Sequence, residues 1–160
     1  MLNLDELRAH LFRALEWGDA HATFDAATKD VAANMRGQQP PGQEHTLWQL
    51  TEHLRLAQED ILDFCVNANY AEREFPEGYW PPTPAPPSDA AWDESLARIR
   101  RDRQALQQLA LDSGRDLFAT IPHGTGQTYL RELLLVIDHN AYHVGQIILA
   151  RRALGIWPPT

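Results

Sequence analysis

The chain has 160 residues, 44% apolar and 22% charged, with 14 Lys plus Arg against 22 Asp plus Glu and a formal charge of −8. That is the size of one domain, residues 1–160, able to bury roughly 70% of its unfolded surface, and the composition excludes a wholly disordered chain. The acidic balance argues against DNA or RNA as a partner, because phosphate contacts need clustered cations; the one basic cluster (Arg98, Arg100, Arg101, Arg103) sits among Asp93, Glu94 and Asp102 and reads as a solvated helix face.

The N-terminal residues 1–6 are acidic and lack the basic region and apolar run of a signal peptide. From there to Glu16, Leu4, Leu7, Leu11 and Leu15 recur at helical spacing, which predicts a helix over 2–16. Gly18 interrupts it, and the Ala-rich segment 20–35 is expected to continue as a second helical piece after a kink. Gly37, Pro40, Pro41 and Gly42 mark a loop. Thr46 followed three residues later by Gln49 is a capping box. Behind it Leu47, Leu50, Leu54, Ala57, Ile61 and Phe64 predict a helix over 46–66, about 31 Å long.

Residues 67–87 hold six of the eleven prolines, together with Tyr70, Phe75, Tyr79 and Trp80. Proline blocks helix and sheet, and the aromatics imply a long loop packed on the body. Ser88 is placed to cap a third long helix through Trp92, Leu96, Ile99, Arg103, Leu106 and Leu109, ending near Gly114. An irregular stretch, 115–126, follows, with Leu117, Phe118 and Ile121 expected to tuck under the body. The last helix is expected over 128–154, stopped by Gly155. Four long helices and no convincing strand predict an all-α fold, an antiparallel four-helix bundle with a long Pro-rich loop between helices 2 and 3.

The longest aliphatic run is five residues, 133–137, against the 20 or so that a membrane span needs, so no membrane partner is expected. The single cysteine, Cys65, excludes an intrachain disulfide and fits a reducing, cytoplasmic location. It reads as a small buried apolar residue.

Two of the seven histidines, His139 and His143, are four apart in the last helix and so lie on one face, a turn from each other. This spacing lets two imidazoles reach one metal ion, although Asn140 stands where the HExxH motif carries its glutamate. The same helix shows two apolar faces. One carries Leu130, Leu133, Leu134, Ile137, Ala141, Val144 and Ile148, and the other mixes Leu135, Val136, Ile147 and Ala150 with Glu132, His139, His143 and Gln146. A helix apolar on two sides is expected to be buried on two sides. His53 falls on the inward stripe of the second long helix, and three imidazoles with an open fourth position are the pattern of a catalytic zinc site. Imidazole suits nickel and iron as well. There is no GxxxxGK loop, no GxGxxG and no GxSxG.

The segment Thr46-Leu47-Trp48-Gln49-Leu50-Thr51-Glu52-His53 resembles the second-helix motif of the DinB/YfiT-like metal-dependent hydrolase superfamily. The segment Asp138-His139-Asn140-Ala141-Tyr142-His143-Val144-Gly145-Gln146 resembles its last-helix HxxxH motif. The resemblance covers nearly the whole chain. It implies a four-helix bundle, commonly dimeric, with a divalent metal, zinc or nickel, held by His53, His139 and His143. Some relatives transfer low-molecular-weight thiols onto electrophiles and others are named hydrolases, so the resemblance implies a small-molecule substrate, such as a thiol, and a homodimer.

His21 is a further candidate, as a fourth ligand or a group behind the ligands. Glu132, two turns before His139 on the same face, is a candidate base or orienting acid, or else a solvated first-turn acid favoured by the helix dipole. His10, His45 and His123 read as surface residues, with His123 in a loop bordering a pocket mouth. Three accounts are open at this point: a metal-dependent hydrolase or thiol transferase, a metal-stabilised or metal-sensing dimer without turnover, and a bundle whose three histidines are core polar groups.

Overall fold

Each helix starts where a side-chain oxygen meets an otherwise unpaired backbone N–H. Asn3 accepts from Glu6 N at the head of α1 (Leu4–Ala14), and Thr23 accepts from Ala26 N at the head of α2 (Phe24–Thr28). Thr46 accepts from Gln49 N at the head of α3 (Leu47–Val66), and the Gln49 side chain returns the bond, completing the capping box read from the sequence. Ser88 caps α4 (Asp89–Leu111) and Thr128 caps α5 (Tyr129–Ala153). Gly155, at φ 72°, supplies the left-handed residue that ends α5. This computed structural model describes residues 3–16 and 18–159, so the expected start of the first helix at Leu2 lies outside the described residues. Among the described residues there are five α-helices and no strand, only an isolated bridge between Thr120 and Thr128.

α3 packs on both α4 and α5, α1 lies along α4, and α2 leans on α5. One core cluster joins Phe24, Leu47, Trp48, Leu54, Trp92, Ile99 and Ile147, and a second joins Leu11, Ile61, Leu106, Leu117, Ile121, Leu133 and Val136. Each of these aliphatic side chains gains about 1.5–3 kcal/mol from leaving water, which is what seats α3 against its two neighbours.

Four expectations are corrected. Segment 20–35 is not one helical piece: α2 stops after five residues, Lys29 is extended and Asp30 sits at φ 54°. The buried Arg151 guanidinium explains the break, because its Nη1 donates to the carbonyls of Ala27 and Lys29, each at 2.9 Å. Arg103 is not on a solvated face. It is buried, and its Nη2 meets Glu16 at 3.0 Å and Asp25 at 3.1 Å. Phe118 is exposed while Leu117 and Ile121 are buried, because Leu117 and Phe118 occupy a turn closed by the Ala119 N–H on the Asp116 carbonyl at 3.1 Å, which points the two side chains apart. α5 is not buried on two sides within the chain. Leu133, Val136, His143, Val144, Ile147 and Ala150 form one buried stripe between the two predicted faces, and Leu134, Tyr142 and Leu149 are left exposed.

α5 is long and apolar enough to cross a membrane by length and composition alone. It also buries Glu132, His143 and Arg151 and packs against α3, which is how a core helix of a globular domain behaves. The segment 67–88 joins α3 to α4 without an α-helix. It is pinned by Tyr70 and Tyr79, whose hydroxyls donate to Asp60 at 3.1 and 2.8 Å, whereas Phe75 stays in solvent.

Candidate metal centre

α3 and α5 pack face to face, and this brings His53 against His139 and His143. One nitrogen of each ring lies within 4.8 Å of the others. His53 Nε2 is 3.1 Å from His143 Nε2 and 3.2 Å from His139 Nε2.

The outward nitrogens fix what the inward ones are. His53 Nδ1 is 2.7 Å from the Tyr79 carbonyl, which only accepts, so Nδ1 carries the hydrogen. His143 Nδ1 is 2.7 Å from Gln146 Oε1, and that amide donates in turn to the Tyr142 hydroxyl. Behind His139 the orientation follows from a backbone acceptor. Gln58 Nε2 donates to the Ile99 carbonyl, so Gln58 Oε1 takes the Asn140 Nδ2 hydrogen, and Asn140 Oδ1 is left facing His139 Nδ1 at 3.5 Å. Each Nδ1 therefore faces an acceptor, and each Nε2 turns a lone pair inward.

Burial holds all three imidazoles below their ordinary pKa. The charges of His139 and His53 add to burial at His143 and take it to about 4. The rings are thus neutral near pH 7, and the two short Nε2 contacts set acceptor against acceptor. A cation between them turns that repulsion into coordination. The spacing fits: nitrogens bound at 2.0–2.1 Å stand about 2.9 Å apart at right angles and about 3.3 Å apart at the tetrahedral angle. The donor set can hold a divalent metal ion, and among the described residues no fourth His, Cys, Asp or Glu joins the group.

Trp80 covers the His53 ring, stacked at 4.0 Å with 6° between the planes. His45 lies on the other face of that indole at 4.1 Å, so it is half-buried and not the plain surface residue expected from the sequence. His21 lies elsewhere, exposed, with Nδ1 2.9 Å from the Ala22 carbonyl, on a cavity formed by the opposite flank of α5. Glu132 is buried, and its Oε1 meets Arg131 at 2.7 Å. It lines a polar cavity of about 480 Å³ with Asp60, Tyr79, His123 and Arg131. Two helical turns, about 10 Å, separate it from His139. His123 is exposed on that cavity, bonded through Nε2 to the Phe64 carbonyl at 2.8 Å, and His10 is exposed near Arg13. Cys65 is a buried free thiol pushed up to about 12 by burial and the charge of Glu132.

The sequence reading did not identify the Tyr79 carbonyl or Gln58. A backbone acceptor leaves no trace in residue type, and Gln58 shows only as a glutamine on an otherwise apolar stripe. Gln146, three residues after His143, was within reach of helical spacing.

No curated protein and no solved structure matched the chain. A family model described as the DinB superfamily matches residues 5–147. That match takes in nearly all of α1, the whole of α3 and α4 and the first three-quarters of α5, with all three histidines inside it, and the chain belongs to the DinB superfamily.

Proposed function

We propose that the chain is a metal-dependent enzyme that attacks an electrophilic small molecule with water or a low-molecular-weight thiol, as a hydrolase or an S-transferase. The observation that carries this reading is the convergence of three acceptor nitrogens with no fourth His, Cys, Asp or Glu beside them among the described residues. A structural site closes its fourth position with protein, whereas a catalytic one leaves it for substrate. His53, His139 and His143 would hold a zinc or nickel ion in a four-helix bundle of α1, α3, α4 and α5. What such an ion supplies is Lewis acidity, which lowers the pKa of water or a thiol toward neutrality.

The remaining roles belong to the chain. The Tyr79 carbonyl, Gln146 and Asn140 hold the three rings in the tautomer that points Nε2 inward. Trp80 keeps water off one face of His53. The polar cavity sharing Tyr79 would take the body of the substrate, with Glu132 on its wall two helical turns from His139, placed to orient the substrate and not to take a proton at the three-histidine group. The exposed Leu134, Tyr142 and Leu149 along α5 fit a homodimer face. The buried free thiol fits a reducing cytoplasm.

The test is turnover by protein stripped of metal and reloaded with zinc or nickel. Monochlorobimane with cysteine or glutathione reads S-transfer, and 4-nitrophenyl acetate reads hydrolysis. We expect metal-dependent turnover that falls about 100-fold or more in His53→Ala. Turnover no greater than that of the free metal ion on every substrate would overturn the reading.

A further inference from the structure

Asp60 follows His53 by seven residues on α3, so the two lie on one face, two turns and about 10 Å apart. One residue of the 67–88 segment reaches both. Tyr79 ends a single 3₁₀ turn, Glu77–Tyr79, that packs on α3. Its N–H is spent inside the segment, on the Pro76 carbonyl at 3.1 Å, and its own carbonyl accepts from His53 Nδ1 at 2.7 Å. Its hydroxyl donates to Asp60 Oδ2 at 2.8 Å. Burial and the bond to Asp60 push that hydroxyl up to about 12, so it keeps its hydrogen near neutral pH.

Asp60 also takes the Tyr70 hydroxyl at 3.1 Å and faces Arg73 Nε at 3.6 Å. Those two contacts fasten the segment to α3, whereas that of Tyr79 continues through one residue to His53. The His53 bond has little slack. A carbonyl displaced by about 1 Å takes a 2.7 Å bond beyond hydrogen-bond range. The ring would then lose the acceptor that selects its Nδ1–H tautomer and its direction. A lone 3₁₀ turn has poor hydrogen-bond geometry and holds a carbonyl weakly by itself. The anchor at the far end of the Tyr79 side chain is what steadies it.

We propose that Asp60 is a positioning residue for the three-histidine group: by holding the Tyr79 hydroxyl it fixes the Tyr79 carbonyl, and through it the tautomer and direction of His53.

The test uses the full chain carrying Asp60→Ala, Tyr79→Phe, both together, Asp60→Asn or Tyr70→Phe. Two quantities are read at neutral pH. One is the exchange of the His53 Nδ1 hydrogen with water, by NMR of the ¹⁵N-labelled metal-free chain. The other is the zinc dissociation constant, by competition with a chromophoric chelator, and it alone rests on the metal-binding reading above. In Asp60→Ala and in Tyr79→Phe the exchange should quicken about threefold or more, and zinc should bind about tenfold more weakly. The double variant should be no worse than either single one, because both remove the same bond. Asp60→Asn keeps an acceptor for the hydroxyl and should restore both readings to within about threefold of wild type. Tyr70→Phe loosens the segment without touching the Tyr79 bonds, so it should lower the melting temperature and leave both readings within about twofold. Should Asp60→Ala fail to fold, Tyr79→Phe, which deletes one oxygen atom, decides. The proposal fails if Tyr79→Phe leaves the His53 exchange unchanged, if the two single effects add in the double variant, if Asp60→Asn behaves as Asp60→Ala, or if Tyr70→Phe moves both readings as far as Tyr79→Phe does. A wild-type chain that takes up no zinc would defeat the metal-binding reading, and the His53 exchange would then decide the role of Asp60.

Discussion

His53 gives its Nδ1 hydrogen to the Tyr79 carbonyl at 2.7 Å, and that one bond decides that its other nitrogen is an acceptor and not a donor. The His139–His143 pair was legible from spacing, because residues four apart share a helix face, and His53 was a candidate on the inward stripe of its own helix that the family resemblance joined to them. What holds them was not legible, since a carbonyl from the 67–88 segment carries no residue signature. A similar contrast holds at Asp25, an unremarkable acid in the sequence that takes Arg100 at 2.7 Å and Arg103 at 3.1 Å. Burial alone would raise its pKa, but the bonds and charges of the two arginines outweigh it and hold the carboxyl below the ordinary 3.8. A depressed folded value means stability that is present above the unfolded pKa and lost as pH falls through the folded one. Asp25→Asn should therefore destabilise the protein at pH 7 by less than about 1 kcal/mol, since solvent screens the pair. In urea unfolding the gap from wild type should close as the pH is taken below 3.8 and on through the lower folded value. A gap that persists unchanged in acid would contradict the account.

At the scale of elements, local signals were the readable ones. The capping box at Thr46, the cap at Ser88 and the stop at Gly155 act over three or four residues, so the sequence displays them. Thr46 also does something the sequence hides: its hydroxyl donates to the Pro84 carbonyl at 2.5 Å, tying the head of α3 to the proline-rich segment. Thr46→Ala should cost about 1–2 kcal/mol, read as a melting temperature lower by about 2–8 °C. An unchanged melting temperature would mean that cap and tie contribute nothing. The short α2 was misjudged for the converse reason. Its alanines favour helix, but Arg151, from the far end of the chain, claims the carbonyls of Ala27 and Lys29. The buried stripe of α5 was misplaced because apolar residues occupy most of its circumference, so composition alone cannot say which side meets α3.

For the whole molecule, α3 and α5 form the frame on which the histidines converge, while Leu134, Tyr142 and Leu149 remain outside it. If that exposed line is the homodimer face, Leu134→Glu should shift sedimentation from dimer toward monomer with helicity kept. An unchanged mass would place the interface elsewhere. The central claim is that three neutral imidazoles hold one divalent ion, and elemental analysis of protein purified without a histidine tag tests it most directly. The account predicts one divalent ion per chain, lost in both His53→Ala and His143→Ala while circular dichroism shows the helices intact. Protein that carries no metal and takes up neither zinc nor nickel at micromolar concentration, or variants that keep the full complement, would contradict it.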